Sequence, residues 1–156
     1  MALKPDRHEF KTDITWFCND VAERGIVLVQ STAGSGAAMD QTVNLAAVPS
    51  GGSEPTGTKP LGLLLNDIVN VDLTKYRLNA YKNEVQIGSK VTLGVQGWWV
   101  TNKITGTPVA NDIAYVGVSG TLKVTTSGGD SKVGRFRSIK DEKGFAKVEI
   151  MLPWLI

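Results

Sequence analysis

Apolar and polar residues alternate with a period of two in several short stretches of the chain. The clearest cases are Val69–Leu73, Val91–Val95 and Ala146–Leu152, in which every second residue is apolar. Such alternation places the apolar side chains on one face of a half-buried β-strand. Glycine- and proline-rich turn signals separate the stretches, as at 106–112 and 141–144. The pattern predicts a mainly β fold, an antiparallel β-sandwich or barrel with little helix.

The segment Phe10–Val21 is compatible with two structures. Its large apolar residues recur at the spacing of one helix face, which would give an amphipathic helix. The same segment also alternates as a strand, with Ile14, Trp16 and Cys18 on one side. Because β-branched and aromatic residues are enriched in strands, the composition favours the strand.

The chain length of 156 residues corresponds to a single domain. Residues 1–12 are polar and charged, which indicates an extended N-terminal arm, and residues 49–60 are rich in Gly, Ser, Pro and Thr, which indicates a flexible loop. No apolar stretch reaches the length of a membrane span or a secretory signal, so we expect synthesis in a cytoplasm and no membrane partner.

The net charge of the chain and its few reactive residues restrict the classes of function that the protein could have. The 17 basic and 15 acidic residues give a net charge of +2, too balanced for a dedicated nucleic-acid-binding protein. His8 and Cys18 are the only residues of their types, so neither a disulfide nor a multi-histidine metal site is available within one chain. The turn Gly34–Gly36 is followed by no lysine of a phosphate-binding loop. We therefore expect no enzyme activity and no cofactor.

The stretch Lys132–Lys147 is locally basic and contains two interleaved phenylalanines. Strand alternation places Arg135 and Arg137 on one face and Phe136 on the other. Two interpretations stay open: a surface for an acidic partner or nucleic acid, or the ordinary solvated face of a strand.

Adjacent tryptophans and an apolar terminal segment are the other candidates for binding. Trp98 and Trp99 must point to opposite faces of a strand, so that only one can enter a given core. The segment Trp154–Ile156 either completes the protein's own core or contacts another chain, since apolar surface is costly to leave in water. The candidate protein-interface residues are Phe10, Trp98, Trp99, Arg135, Arg137, Trp154, Leu155 and Ile156.

A series of turn and strand segments covers most of the chain. These segments are Thr12–Phe17, Glu23–Val29, Ser31–Asp40, Lys59–Leu73, Asn83–Gly88, Val133–Phe136 and Asp141–Val148. In these segments the chain resembles the small head decoration (cement) proteins of tailed bacteriophages, particularly those of marine and cyanobacterial phages.

The resemblance implies a β-rich structural protein on the exterior of the virion. Such proteins bind the major capsid protein non-covalently as dimers or trimers at junctions between capsomers, and they stabilise the icosahedral head against internal DNA pressure. They carry no catalytic residues and are made in the host cytoplasm. An alternative from the residues is a surface-displayed carbohydrate-binding β-sandwich, in which Trp98 or Trp99 stacks on a sugar ring.

Overall fold

A computed structural model describes residues 10–31, 45–49, 57–65, 84–85, 87–126 and 128–152. These residues form thirteen short strands and a single 3₁₀ turn at Val118–Gly120. The strands are β1 Lys11–Asp13, β2 Phe17–Cys18, β3 Ala22–Glu23, β4 Val27–Gln30, β5 Leu45–Ala47, β6 Pro60–Leu64, β7 Glu84–Val85, β8 Leu93–Thr101, β9 Ile104–Thr105, β10 Ile113–Val116, β11 Leu122–Lys123, β12 Lys132–Phe136 and β13 Ala146–Met151.

Eleven strands form one mixed sheet in the order β2-β5-β4-β6-β8-β13-β12-β10-β11-β9, with β1 paired to β8. The strands β3 and β7 form a separate antiparallel pair. The predicted mainly β, sandwich-like fold with little helix is confirmed, but the sheet does not close into a barrel. The expectation of a purely antiparallel sheet needs correction, because β2–β5 and β9–β11 are parallel pairs whose connections run through intervening strands or long segments.

Strands β4 and β6 are buried on both faces. Val27 and Leu63 belong to a core cluster shared with strands β10 to β13, which we name the sandwich cluster, whereas Leu28 and Leu64 belong to a second cluster on the opposite face. The part of the large sheet that contains β4 and β6 therefore packs against the part that contains β10 to β13, with the sandwich cluster between them. Its buried members are Val27, Val29, Leu63, Ala114, Val116, Leu122, Val133, Phe136, Ala146, Val148 and Ile150.

Strand β8 lies between β6 and β13 in the sheet and contains a bulge. Strict alternation would place Gly94 and Trp99 on opposite faces, yet a Cβ at Gly94 would meet the Trp99 ring at 2.7 Å. The register of β1 skips a residue here, since Lys11 opposes Gln96 and Thr12 opposes Gly94. One extra residue in β8 therefore turns the side chains that follow it to the opposite face of the sheet. Gly97 follows with a φ of 143°, which a side chain would strain.

Several of the segments predicted from the sequence lie within the described residues. The segment Phe10–Val21 contains β1 and β2 and no helix, which agrees with the strand interpretation over the helical one. The predicted common side of Ile14, Trp16 and Cys18 is wrong, because Ile14 and Trp16 lie between the two strands and Ile14 is 57% exposed, whereas Cys18 is fully buried. The alternating segment Ala146–Leu152 contains β13, and Val91–Val95 overlaps the start of β8. Residues 11–12 of the predicted N-terminal arm are part of β1, which pairs with β8. Residues 1–9, Val69–Leu73 and most of the predicted loop at 49–60 lie outside the described residues.

Candidate interaction surface

A three-stranded part of the sheet presents an aromatic and charged face on the side away from the sandwich cluster. On β13, Ala146, Val148 and Ile150 point into that cluster, so Lys147 and Glu149 point the other way. The register places Trp98 of β8 and Arg135 of β12 directly opposite Glu149. We name this side of the three strands the outer face. Its residues are Trp98, Val100, Arg135, Arg137, Lys147, Glu149 and Met151.

Glu149 is the centre of a hydrogen-bonded group on the outer face. Nε of Arg137 donates to Oε2 of Glu149 at 2.6 Å, and Nη2 of Arg137 forms an ion pair with the same oxygen. Burial of the Glu149 carboxyl opposes its ionisation. Hydrogen bonds from Trp98 and Arg137, together with the charges of Arg137 and Arg135, outweigh that effect and lower the pKa of Glu149. The carboxylate therefore stays ionised and holds two neighbours in place.

A tight turn orients the guanidinium of Arg137 from its other side. Nη1 of Arg137 donates to Oδ1 of Asn111 at 3.0 Å. Asn111 has a φ of 79°, a left-handed conformation that asparagine tolerates better than most residues. The neighbouring Asp112 closes this turn by accepting a hydrogen bond from the Val109 amide at 2.8 Å. Arg137 thus has fixed partners at both ends of its guanidinium.

Lys147 covers the ring of Trp98. Its Nζ lies 4.2 Å from the centre of the ring, within the range of a cation–π interaction. Arg135 is exposed, and its side chain makes no hydrogen bond or ion pair with any residue that the structure describes. The three cations Arg135, Arg137 and Lys147 surround the single carboxylate of Glu149, which leaves the outer face positively charged.

Trp99 and Phe10 form a second group on the opposite side of β8. The two rings are 5.6 Å apart and tilted, and a Cβ at Gly97 would lie 2.5 Å from the Phe10 ring. Phe10 is 43% exposed, whereas Trp99 packs against the sandwich cluster. The prediction that the two tryptophans point to opposite faces is therefore confirmed. The predicted interface residues that the structure describes are thus divided between the outer face and this second group.

An open cleft of about 260 Å³ lies beside Trp99. Its walls include Leu65, Arg24 and two exposed hydrophobic residues, Val100 at 45% and Phe145 at 36%. Val100 belongs also to the outer face, so the cleft adjoins that face. The walls are mixed, since Arg24, Thr101 and Asn102 line the cleft together with the apolar side chains.

Other candidate residues from the sequence have separate positions. Cys18 is fully buried, burial raises the pKa of its thiol, and its Sγ donates to the Asp20 carbonyl at 2.8 Å. His8, Gly34–Gly36 and the interface candidates Trp154, Leu155 and Ile156 lie outside the described residues. Among the residues described, no three potential metal ligands cluster. The described part of the chain contains no helix long and apolar enough to cross a membrane.

Sequence reasoning missed the position of Glu149 at the centre of the outer face and the exposure of Val100, and it indicated Phe145 only as one of two phenylalanines in the basic stretch. The alternation of β13 places Glu149 on the polar side of its strand. That alternation does not reveal that Trp98 and Arg135 flank it, because the flanking depends on which strands pair. No protein-family model matches this sequence, and no curated protein is significantly similar to it.

Proposed function

We propose that this protein is a head decoration protein of a tailed bacteriophage. In this role it binds the outer surface of the icosahedral shell, contacts the major capsid protein across capsomer junctions and stabilises the head non-covalently. The outer face of β8, β12 and β13 is the observation that carries the proposal, because it joins an aromatic ring, fixed cations and exposed aliphatic groups on one sheet. Its place in the virion is the capsid exterior, after synthesis in the host cytoplasm.

The composition of the outer face supports binding to a protein. Tryptophan and arginine are the residue types most enriched among the energetically dominant residues of protein interfaces. Trp98 and Arg137 are already held by Glu149, so that docking would restrict little of their remaining side-chain freedom. A sheet that is packed on the sandwich cluster also keeps the spacing of these groups constant.

Repetition over the shell supports a stabilising role for a small protein. Each copy that binds the assembled shell and not its dissociated subunits favours the assembled state by mass action. Association into dimers or trimers, which is part of the proposal, would let one oligomer contact several capsomers and raise the effective concentration of each further contact. Modest affinity at each contact is then sufficient for strong reinforcement.

The carbohydrate-binding alternative receives less support from the same residues. Stacking on a sugar needs an open aromatic ring face, but Lys147 lies over the ring of Trp98. Trp99 packs against the sandwich cluster and Phe10, which leaves little of its ring for a sugar.

The test uses expanded, DNA-filled heads that lack this protein. Adding the purified protein should raise the temperature at which the heads release DNA, and the Trp98→Ala variant should raise it less at the same concentration. The variant Lys59→Gln, which changes an exposed lysine outside the three strands, serves as the matched control and should act like the unmodified protein. An unchanged release temperature at saturating protein would refute the proposed function, as would retention in gels containing polysaccharide without any binding to heads.

A further inference from the structure

We infer that the outer face recognises a carboxylate-bearing protein surface, and that the guanidinium of Arg135 is the group that the partner's carboxylate engages. This inference rests on the proposed function and names the chemistry of the docking contact. It follows from the difference between the cations of this face. Two of them are held by close contacts within the described part of the chain, whereas the guanidinium of Arg135 makes no hydrogen bond there and acts on Glu149 only through its charge.

Arg137 and Lys147 are occupied by intramolecular contacts. Arg137 donates to both Glu149 and Asn111, and the Lys147 ammonium lies 4.2 Å from the centre of the Trp98 ring. Arg135, directly opposite Glu149 in the ladder, is exposed, and its side chain forms no hydrogen bond or ion pair with the described residues, although its charge favours the ionised form of Glu149. A guanidinium has five N–H donors in a planar fork that matches a carboxylate. Arg135 therefore retains its full donor capacity for a partner.

The charges around Arg135 favour a protein surface over a polyanion. A nucleic acid presents closely spaced phosphates, and phosphates placed along this face would approach the ionised Glu149 at its centre. A folded protein can place a carboxylate opposite Arg135 and an apolar group beside Trp98 and Val100, without a negative charge near Glu149. The arrangement of three cations around one anion thus matches a mixed acidic and apolar surface.

The experiment measures binding to empty expanded heads as a function of salt concentration. Arg135→Gln should weaken binding roughly tenfold at low salt, and Arg135→Glu should weaken it by a further factor of about ten or more. Arg135→Lys should recover part of the loss, since a lysine restores the charge but not the fork. Lys59→Gln, which removes one exposed charge elsewhere, should change binding less than twofold. Thermal unfolding of each variant checks that Arg135, which is exposed, can be replaced without loss of folding.

Two soluble probes separate the possible failures. A short peptide that places one glutamate among apolar residues should compete for binding with an Arg135-dependent affinity, and duplex DNA at equal charge concentration should compete less. If the unmodified protein binds heads but Arg135→Gln and Lys59→Gln behave alike, the inference is wrong and the proposed function stands. If the protein does not bind heads, the proposed function is wrong, and Arg135-dependent binding of the single-glutamate peptide would keep the acidic-surface assignment. Stronger competition by DNA would overturn the assignment in favour of nucleic acid.

Discussion

Replacing Gly134 with alanine should be among the most destabilising single changes in the described part of the sheet. Gly134 lies opposite Ile150 where β12 and β13 pair. A Cβ at this position would overlap the carbonyl oxygen of Glu149 and lie 2.8 Å from its carbonyl carbon. Because the obstacle is backbone, no change of side-chain rotamer can relieve it, and the two strands must move apart.

The magnitude follows from the two effects of that movement. Overpacking in a close-packed region costs about 1–3 kcal/mol. Weakening one or two ladder hydrogen bonds adds about 0.5–1.5 kcal/mol for each. We therefore expect Gly134→Ala to lower the free energy of unfolding by about 1.5–6 kcal/mol, a substantial part of the roughly 5–15 kcal/mol typical of a domain. For a domain of this size the melting temperature should fall by roughly 3–24 °C.

Gly144→Ala is the matched control, because it isolates backbone conformation from space. Gly144 has a φ of 80°, and a Cβ there would meet nothing within 4 Å. Its substitution should cost only the left-handed strain of a non-glycine residue, about 1–2 kcal/mol. Urea unfolding followed by tryptophan fluorescence measures both variants. If Gly134→Ala costs no more than Gly144→Ala, the close approach of β12 and β13 does not require glycine.

Three further outcomes test other parts of the fold. Lys123→Met should lower the free energy of unfolding, measured in urea, by about 3–5 kcal/mol, because it removes the ammonium that pairs with the buried Asp130 carboxylate at 3.0 Å. Adding Asp130→Leu should recover much of the loss. A double variant whose loss equals the sum of the two single losses would contradict this. Because folding lowers the pKa of Glu149, its ionised carboxylate stabilises the folded protein at pH values above the ordinary pKa of 4.5, and this stabilisation is lost as the pH falls through the lower pKa of the folded state. The curves of stability against pH for the unmodified protein and for Glu149→Gln should therefore converge in acid. Parallel curves would contradict this. The buried Cys18 should react with a thiol reagent only as fast as the protein unfolds, and rapid labelling of folded protein would disprove its burial.

The sequence was sufficient to predict the strands whose alternation is regular. In β13, three buried apolar residues alternate with partly exposed residues, so that both the strand and its facing followed from the pattern. The same rule placed Arg135 and Arg137 together, away from Phe136, and both arginines are exposed. Simple alternation would also place Val133 with the arginines, yet Val133 is fully buried. The register of β12 against β10 skips Val133, and this bulge turns its side chain into the core.

The candidate site was less predictable, because it depends on contacts between distant segments. Nothing near Trp98 in the sequence indicates that β13 lies beside it and supplies both Lys147 and Glu149. Likewise, the reason for glycine at 134 is the backbone of another strand. Periodicity describes one strand at a time, whereas a docking face is made by the order and register in which strands pair.

Arg137 and Arg135 should differ in their effects on folding and binding, although they lie on the same strand face. Arg137→Gln removes the ion pair with Glu149 and the hydrogen bond to Asn111, so it should cost about 1 kcal/mol of stability, a small value because the pair is partly exposed to solvent. Arg135→Gln removes a charge near Glu149 but no side-chain hydrogen bond or ion pair with a described residue, so it should move the urea midpoint less than Arg137→Gln does while weakening attachment to heads. Urea unfolding and head-binding measurements on both variants distinguish the stabilising role of Arg137 from the binding role of Arg135. Equal stability losses would mean that Arg135 is held within the chain, and the division of this face into fixed and available cations would then fail.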